Sequence, residues 1–151
     1  MRSIAAFLLC CVVAVPAVAQ VHSAAAVKWG PAPPFFPRGA RFAVLQGDPS
    51  QSGVYTVRLR MPNGYTIKSH FHPTDEHVTV LSGTFIIGMG DTLKMRGAQQ
   101  LTAGGFITAA KDAHHWAKAR GVTVVQVHGD GPFELTYVNS ADDPRNAKPK
   151  P

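Results

Sequence analysis

Gly64-Tyr-Thr-Ile-Lys-Ser-His70-Phe71-His72-Pro73-Thr-Asp-Glu76-His77-Val-Thr-Val-Leu-Ser-Gly83 is the stretch that decides the fold. In an extended strand successive side chains alternate faces. His70 and His72 therefore share a face, about 7 Å apart along the strand, and two imidazoles so placed suit one ion. Lys68 belongs to that face. Tyr65, Ile67, Ser69 and Phe71 belong to the other. Pro73 ends the ladder, and the next strand begins at Glu76. A hairpin here would return Glu76 beside the two histidines, with Val78 and Val80 following it inward and His77 pointing away. Gly64 and Gly83 bracket the unit, where turns need glycine's freedom.

Outward from this stretch, short apolar runs alternate with turn signals. Strands are predicted near residues 42–46, 55–60, 66–72, 77–81, 84–88, 100–101, 106–109, 115–119, 122–128 and 133–138. Turns are expected at residues 47–49, 62–64, 82–83, 104–105 and 129–132. No segment carries a helical period. The 151 residues are 45% apolar and 16% charged, which suits one all-β domain and excludes a disordered chain or a coiled coil. Many short strands at this spacing imply a sandwich or small barrel. Before them lies an arm, residues 20–38, with Trp29, Phe35, Phe36 and four prolines. Its prolines forbid regular structure, and its aromatics are expected to pin it over the domain or a neighbouring subunit. An irregular tail, partly disordered, is expected over residues 139–151.

The decisive stretch resembles the first motif of the cupin superfamily, G-x5-H-x-H-x3-E-x6-G, with every defined position filled. A chance match from this composition has odds of about one in twenty thousand. The second cupin motif, G-x5-P-x-G-x2-H-x3-N, is matched at Gly104 and His115. Ala110, Asp112 and Ala119 stand where the motif has proline, glycine and asparagine, and Asp tolerates the left-handed backbone of the glycine position. His114 adjoins His115, and only one of the two can face the interior. His115, six residues before Gly121, is preferred.

The resemblance implies a small antiparallel jelly-roll barrel over residues 39–138, similar to short single-domain cupins of the ChrR type. It also implies one divalent transition metal held by His70, His72, Glu76 and His115. Such a donor set suits Fe, Mn, Cu, Zn, Ni or Co. Four protein ligands leave positions open for water, dioxygen or a chelating substrate. Glu76 has a second role open to it, as a catalytic base on leaving the metal.

Two function classes fit. One is a metalloenzyme acting on a small oxygen-rich molecule, either an oxygenase or a Lewis-acid lyase, isomerase or hydrolase. The other is a noncatalytic module that captures a metal or small ligand outside the cytosol. Pocket positions remain open for His128, Gln126, Arg58, Arg60 and Tyr137. The two arginines read first as a solvated face, and Trp116 and Phe71 read as core or interface.

Residues 1–19 carry one Arg, an apolar run from Ile4 to Val15 and Ala17-Val18-Ala19. That is the pattern of a secretory signal cleaved after Ala19, so a periplasmic or secreted chain without a stable membrane span is expected. Both cysteines, Cys10 and Cys11, leave with it, which excludes thiolate ligands and disulfides from the exported chain. Basic residues are scattered, so nucleic acid is not an expected partner. A homodimer, with the arm exchanged across a two-fold axis, is a further expectation. Because the exported chain holds no cysteine, dithiothreitol is expected to leave its melting temperature unchanged. A thermal melt with and without the reductant checks this.

Overall fold

The computed structural model describes residues 21–147. The leader expected at residues 1–19 and the closing residues 148–151 lie outside them. Nine strands form one antiparallel sheet: β1 (Gly30–Pro31), β2 (Arg41–Gln46), β3 (Gly53–Met61), β4 (Thr66–Phe71), β5 (Glu76–Met89), β6 (Gln99–Thr102), β7 (Phe106–Ala109), β8 (His115–Gly131) and β9 (Thr136–Tyr137). The helical pieces among the described residues are 3-10 turns at Ala24–Ala26, Ser140–Asp142 and Pro144–Asn146. The fold is all-β, as the sequence implies.

The sheet curls because two strands serve both of its halves. Along Thr123–Gly131, β8 pairs with β3 on one side and with the first half of β5 on the other. Along His115–Arg120 it pairs with β4 and with the second half of β5. One layer thus holds β1, β2, β3 and β7, the other β4, β6 and β9, and β5 and β8 run through both. Tyr55, Val57, Leu59 and Met61 of β3 point inward and are buried, as period-two alternation requires. They meet Val78, Val80, Val125 and Val127 in one apolar core. Each such side chain contributes about 1.5–3 kcal/mol by leaving water.

The sequence expectations for two strand pairs, two turns and one further strand are corrected here. The pairs of strands expected at 77–81 with 84–88, and at 115–119 with 122–128, are each one strand. Ser82-Gly83 is a bulge where the register shifts, and the strand continues through it. Gly83 and Gly121 both have left-handed backbone, at φ 77° and 71°, which bends the two long strands without ending them. The buried Thr123 hydroxyl stitches the bend, accepting from Thr84 N at 3.2 Å and donating to Thr84 O at 3.1 Å. The turn expected at 129–132 begins later, because β8 runs to Gly131, and the strand expected at 133–138 shrinks to Thr136–Tyr137.

β4 carries a second irregularity. Its register against β8 shifts between Ile67 and His70. The extra residue resets the alternation, so Ile67 and His70 both turn inward while Lys68 is exposed. This corrects the expectation that Lys68 shares the His70 face and Ile67 the opposite one. The arm, expected to lack regular structure, pairs Gly30–Pro31 with Arg41–Phe42 as an edge strand, a position that tolerates proline, and places Phe36 in the core. The tail expected to be irregular forms 3-10 turns at Ser140–Asp142 and Pro144–Asn146 in its described part, where Arg145 pairs with Asp143 at 2.6 Å and reaches Leu135 O at 3.4 Å.

A Cβ at Gly83 would lie 2.5 Å from Val122 O and 2.6 Å from Thr123 Oγ1, whereas one at Gly64 meets open space at nearly the same φ. Gly83→Ala is therefore expected to cost about 2 kcal/mol or more through clash and strain. Gly64→Ala should cost only about 1 kcal/mol, for the left-handed backbone alone. Urea denaturation of the two variants gives the comparison.

Candidate metal centre

His70 is the penultimate residue of β4, His72 lies just beyond its end, His115 begins β8 and Glu76 begins β5. All four are buried. The first three come from one layer. Glu76 comes from the other, where it pairs with Ala109 of β7. β4 and β5 are not hydrogen-bonded neighbours among the described strands. The expected hairpin is thus replaced by a crossing between layers through residues 72–75. The same four residues come together by that different route.

The three imidazoles offer nitrogen atoms that all lie within 4.8 Å of one another. Glu76 Oε2 is 3.5 Å from His72 Nε2 and 3.7 Å from His115 Nε2. Each ring is oriented by a backbone carbonyl. His70 Nδ1 meets Lys68 O at 2.7 Å, His72 Nδ1 meets Glu134 O at 2.6 Å, and His115 Nδ1 meets Ala113 O at 2.9 Å. A carbonyl only accepts, so each Nδ1 carries the proton and each Nε2 keeps its lone pair. Three lone pairs and a carboxylate then face one another in a buried space. His72 Nε2 has no hydrogen-bond partner. A buried nitrogen left unpaired in this way asks for a cation, so the donor set fits a divalent transition ion.

The electrostatics agree. Burial, then the neighbouring His115 and His72 rings, hold His70 down at about 3, so it stays neutral. Burial pushes the Glu76 carboxyl up, but His72, His115 and His70 outweigh it and hold it at about 2. Burial pushes His115 down, and its contacts with Glu76 and the Ala113 carbonyl outweigh that and leave it raised.

Asp112, at the motif's glycine position, adopts φ 59°, and its N–H donates to His72 O at 2.9 Å. The backbone turn therefore survives the departure from glycine and ties two ligand-bearing segments together. His114 points out, with Nδ1 2.6 Å from Asp91 Oδ1 and its ring stacked on Phe71. Trp116 is fully buried on the far side of β8 from His115, over Gly88, where a Cβ would strike its ring. His77 and His128 stack on each other in a groove outside the barrel.

The barrel interior in front of the imidazoles is a cavity of about 20 Å³. Beyond His70, His115 and Glu76 its lining is apolar, including Phe36, Phe42, Ile67, Val78, Phe133 and Leu135. Neither Arg58, Arg60, Gln126, His128 nor Tyr137 lines it. Arg58 instead donates to Gln126 Oε1 at 3.1 Å on the outer face, and the Tyr137 hydroxyl donates to Phe35 O at 2.9 Å. No periodicity or motif in the sequence marks Phe36, Phe42, Phe133 or Leu135 as cavity residues. The one available signal was the aromatic pair in the proline-rich arm.

A family model described as the ChrR cupin-like domain matches residues 17–134. The chain belongs to this cupin family. Solved structures share the cupin fold at low identity. A putative acetylacetone dioxygenase from Methylibium petroleiphilum is 20% identical, with 88% of this chain and 90% of that one covered and a TM-score of 0.65. The polyketide cyclase RemF from Streptomyces resistomycificus is 16% identical, with 84% and 89% covered and a TM-score of 0.68. An RmlC-like cupin from Shewanella frigidimarina is 14% identical, with 72% and 87% covered and a TM-score of 0.56. A comparison with curated proteins returned no match. No helix among the described residues is long and apolar enough to cross a membrane.

The metal-free cupin should lose stability in acid. His70 has a native pKa far below its unfolded one, so its contribution is full above about pH 6.5 and falls as the pH drops toward 3. Glu76 acts in the same direction between its ordinary 4.5 and about 2. His115, raised, acts oppositely and loses its contribution as pH rises through its native value. Urea midpoints of chelator-treated protein at pH 7, 5 and 4 should fall in that order. The fall between pH 7 and 5 should be reduced in His70→Gln.

Proposed function

We propose that this cupin holds one divalent transition metal through His70, His72, Glu76 and His115 and uses it in oxygenase-type chemistry on a small oxygen-rich molecule with an apolar body. The observation that carries the proposal is the pairing of three convergent Nε2 lone pairs with an apolar cavity. A bound ion would supply coordination positions for a chelating substrate or dioxygen. The cavity brings no arginine or lysine to pair with an anionic substrate, and no acid–base group apart from the ligands themselves. Hydrolase and lyase chemistry usually requires such a group. Oxygen chemistry at a metal depends on it less. Glu76, the one carboxylate present, is the catalytic base if it leaves the ion.

The same lack of a separate acid–base group favours a second reading, a noncatalytic module that captures a metal or small ligand. With the export expected from residues 1–19, the ion would be acquired outside the cytosol, where affinity order favours Cu or Zn and supply decides for Fe, Mn or Ni.

Elemental analysis of protein from the exported fraction, beside His70→Ala/His72→Ala, tests the centre. Near-stoichiometric metal that is lost in the variant is the expected result. No metal in either protein, after each candidate ion has been supplied, would overturn it. Oxygen uptake by the loaded protein with acetylacetone, a small apolar chelator, then separates the readings. Uptake matched by loss of the diketone supports an oxygenase, whereas metal binding without turnover of any small chelator supports the capture module.

A further inference from the structure

We infer that Phe36, delivered by the N-terminal arm, sets the size of the molecule that reaches the metal, and that the arm is the part of the cavity wall that gives way to admit it. The inference rests on the metal-centre reading above.

A cavity of about 20 Å³ has room for little more than one water or a molecule of similar size. Any larger substrate must displace a wall. Most of the wall cannot yield cheaply: Val57, Val78, Val125 and Val127 sit in strands β3, β5 and β8, each paired along its length. Phe36 is different. It is 6% exposed, yet it comes from a segment outside the strand ladders, between β1 and β2. Phe133 and Leu135 also lie outside the ladders, between β8 and β9, but Phe133 stacks on His72 and Leu135 adjoins the Glu134 carbonyl that orients His72, so moving them would disturb the imidazoles that a movement of Phe36 leaves in place. Pro33, Pro34 and Pro37 around it have no N–H to donate to a ladder.

A few polar contacts hold the segment instead. The Tyr65 hydroxyl donates to Pro37 O at 2.5 Å and the Tyr137 hydroxyl to Phe35 O at 2.9 Å. Arg41 Nη2 reaches Trp29 O at 2.8 Å. Segments fastened by few bonds open at lower free energy than paired strands.

The rings also form a chain of contacts that ends at His72. Phe36 lies 6.1 Å from Phe133, and Phe133 stacks on His72 at 5.6 Å with 22° between the planes. Removing the Phe36 ring therefore enlarges the space that adjoins Phe133 and the ligand histidine. It leaves the ligands and their orienting carbonyls in place.

The test uses the exported chain loaded with cobalt(II), whose visible spectrum reports ligand binding without turnover. Azide serves as the small probe and 4-phenylimidazole as the large one. Wild type should bind azide and discriminate against 4-phenylimidazole. Phe36→Ala should narrow the ratio of the two dissociation constants by roughly tenfold, about 1.4 kcal/mol. Phe36→Leu, which keeps the core filled, should narrow it by less. Tyr137→Phe removes only the hydroxyl that holds Phe35, and should speed association of 4-phenylimidazole. A ratio unchanged within about twofold in both Phe36 variants, with the cobalt spectrum intact, would overturn the inference. A wild-type protein that shows no bound-cobalt spectrum would overturn the metal reading and this inference with it.

Discussion

The structure depends on two strands being bent and not broken. β5 and β8 each pass from one layer of the barrel to the other, and both change direction at a glycine with left-handed backbone. Without those bends the layers would need separate strands and separate turns, and the ligand-bearing ends would not be brought face to face. Thr123 makes the bend compatible with a dry interior. Its hydroxyl pairs both backbone groups of Thr84 where the ladder is interrupted, so neither of them is left stranded. The convergence of the three buried imidazoles with Glu76 is a product of this geometry. Glu76 begins one bent strand and His115 begins the other, at opposite ends of their antiparallel ladder, and the bends at Gly83 and Gly121 fold those ends over the same cavity.

Much of this was legible in the sequence, because the relevant signals are local. The spacing of His70, His72 and Glu76 is a property of one short stretch. The inward face of β3 follows from simple alternation of Tyr55, Val57 and Leu59. Even the substitution of Asp112 for glycine could be read through, since Asp reaches the left-handed conformation.

What was not legible depended on partners distant in sequence or on the backbone. A glycine that bends a strand looks like one that ends it, so Gly83 reads as a turn. The bulge in β4 leaves no mark in residue type, and one extra residue was enough to exchange the faces of Ile67 and Lys68. The hairpin reading failed because the preference for pairing sequential strands gave way to β8, which lies between β4 and β5 for half its length. Phe36 and Phe133 reach the cavity from segments without regular pairing, where no period exists to reveal a facing.

The orientation of the three imidazoles has an evolutionary corollary. Lys68, Ala113 and Glu134 hold the rings through main-chain oxygens, which every amino acid possesses. Side chains at those three positions are therefore free to drift, so long as the local backbone path is kept. A lineage could recolour the surface around these rings, in charge or polarity, while the proton on each imidazole stays on the nitrogen that faces its carbonyl. The heritable information that fixes the tautomers resides in the course of the chain and not in any letter at the contact, so relatives that share the centre need not share the residues that orient it.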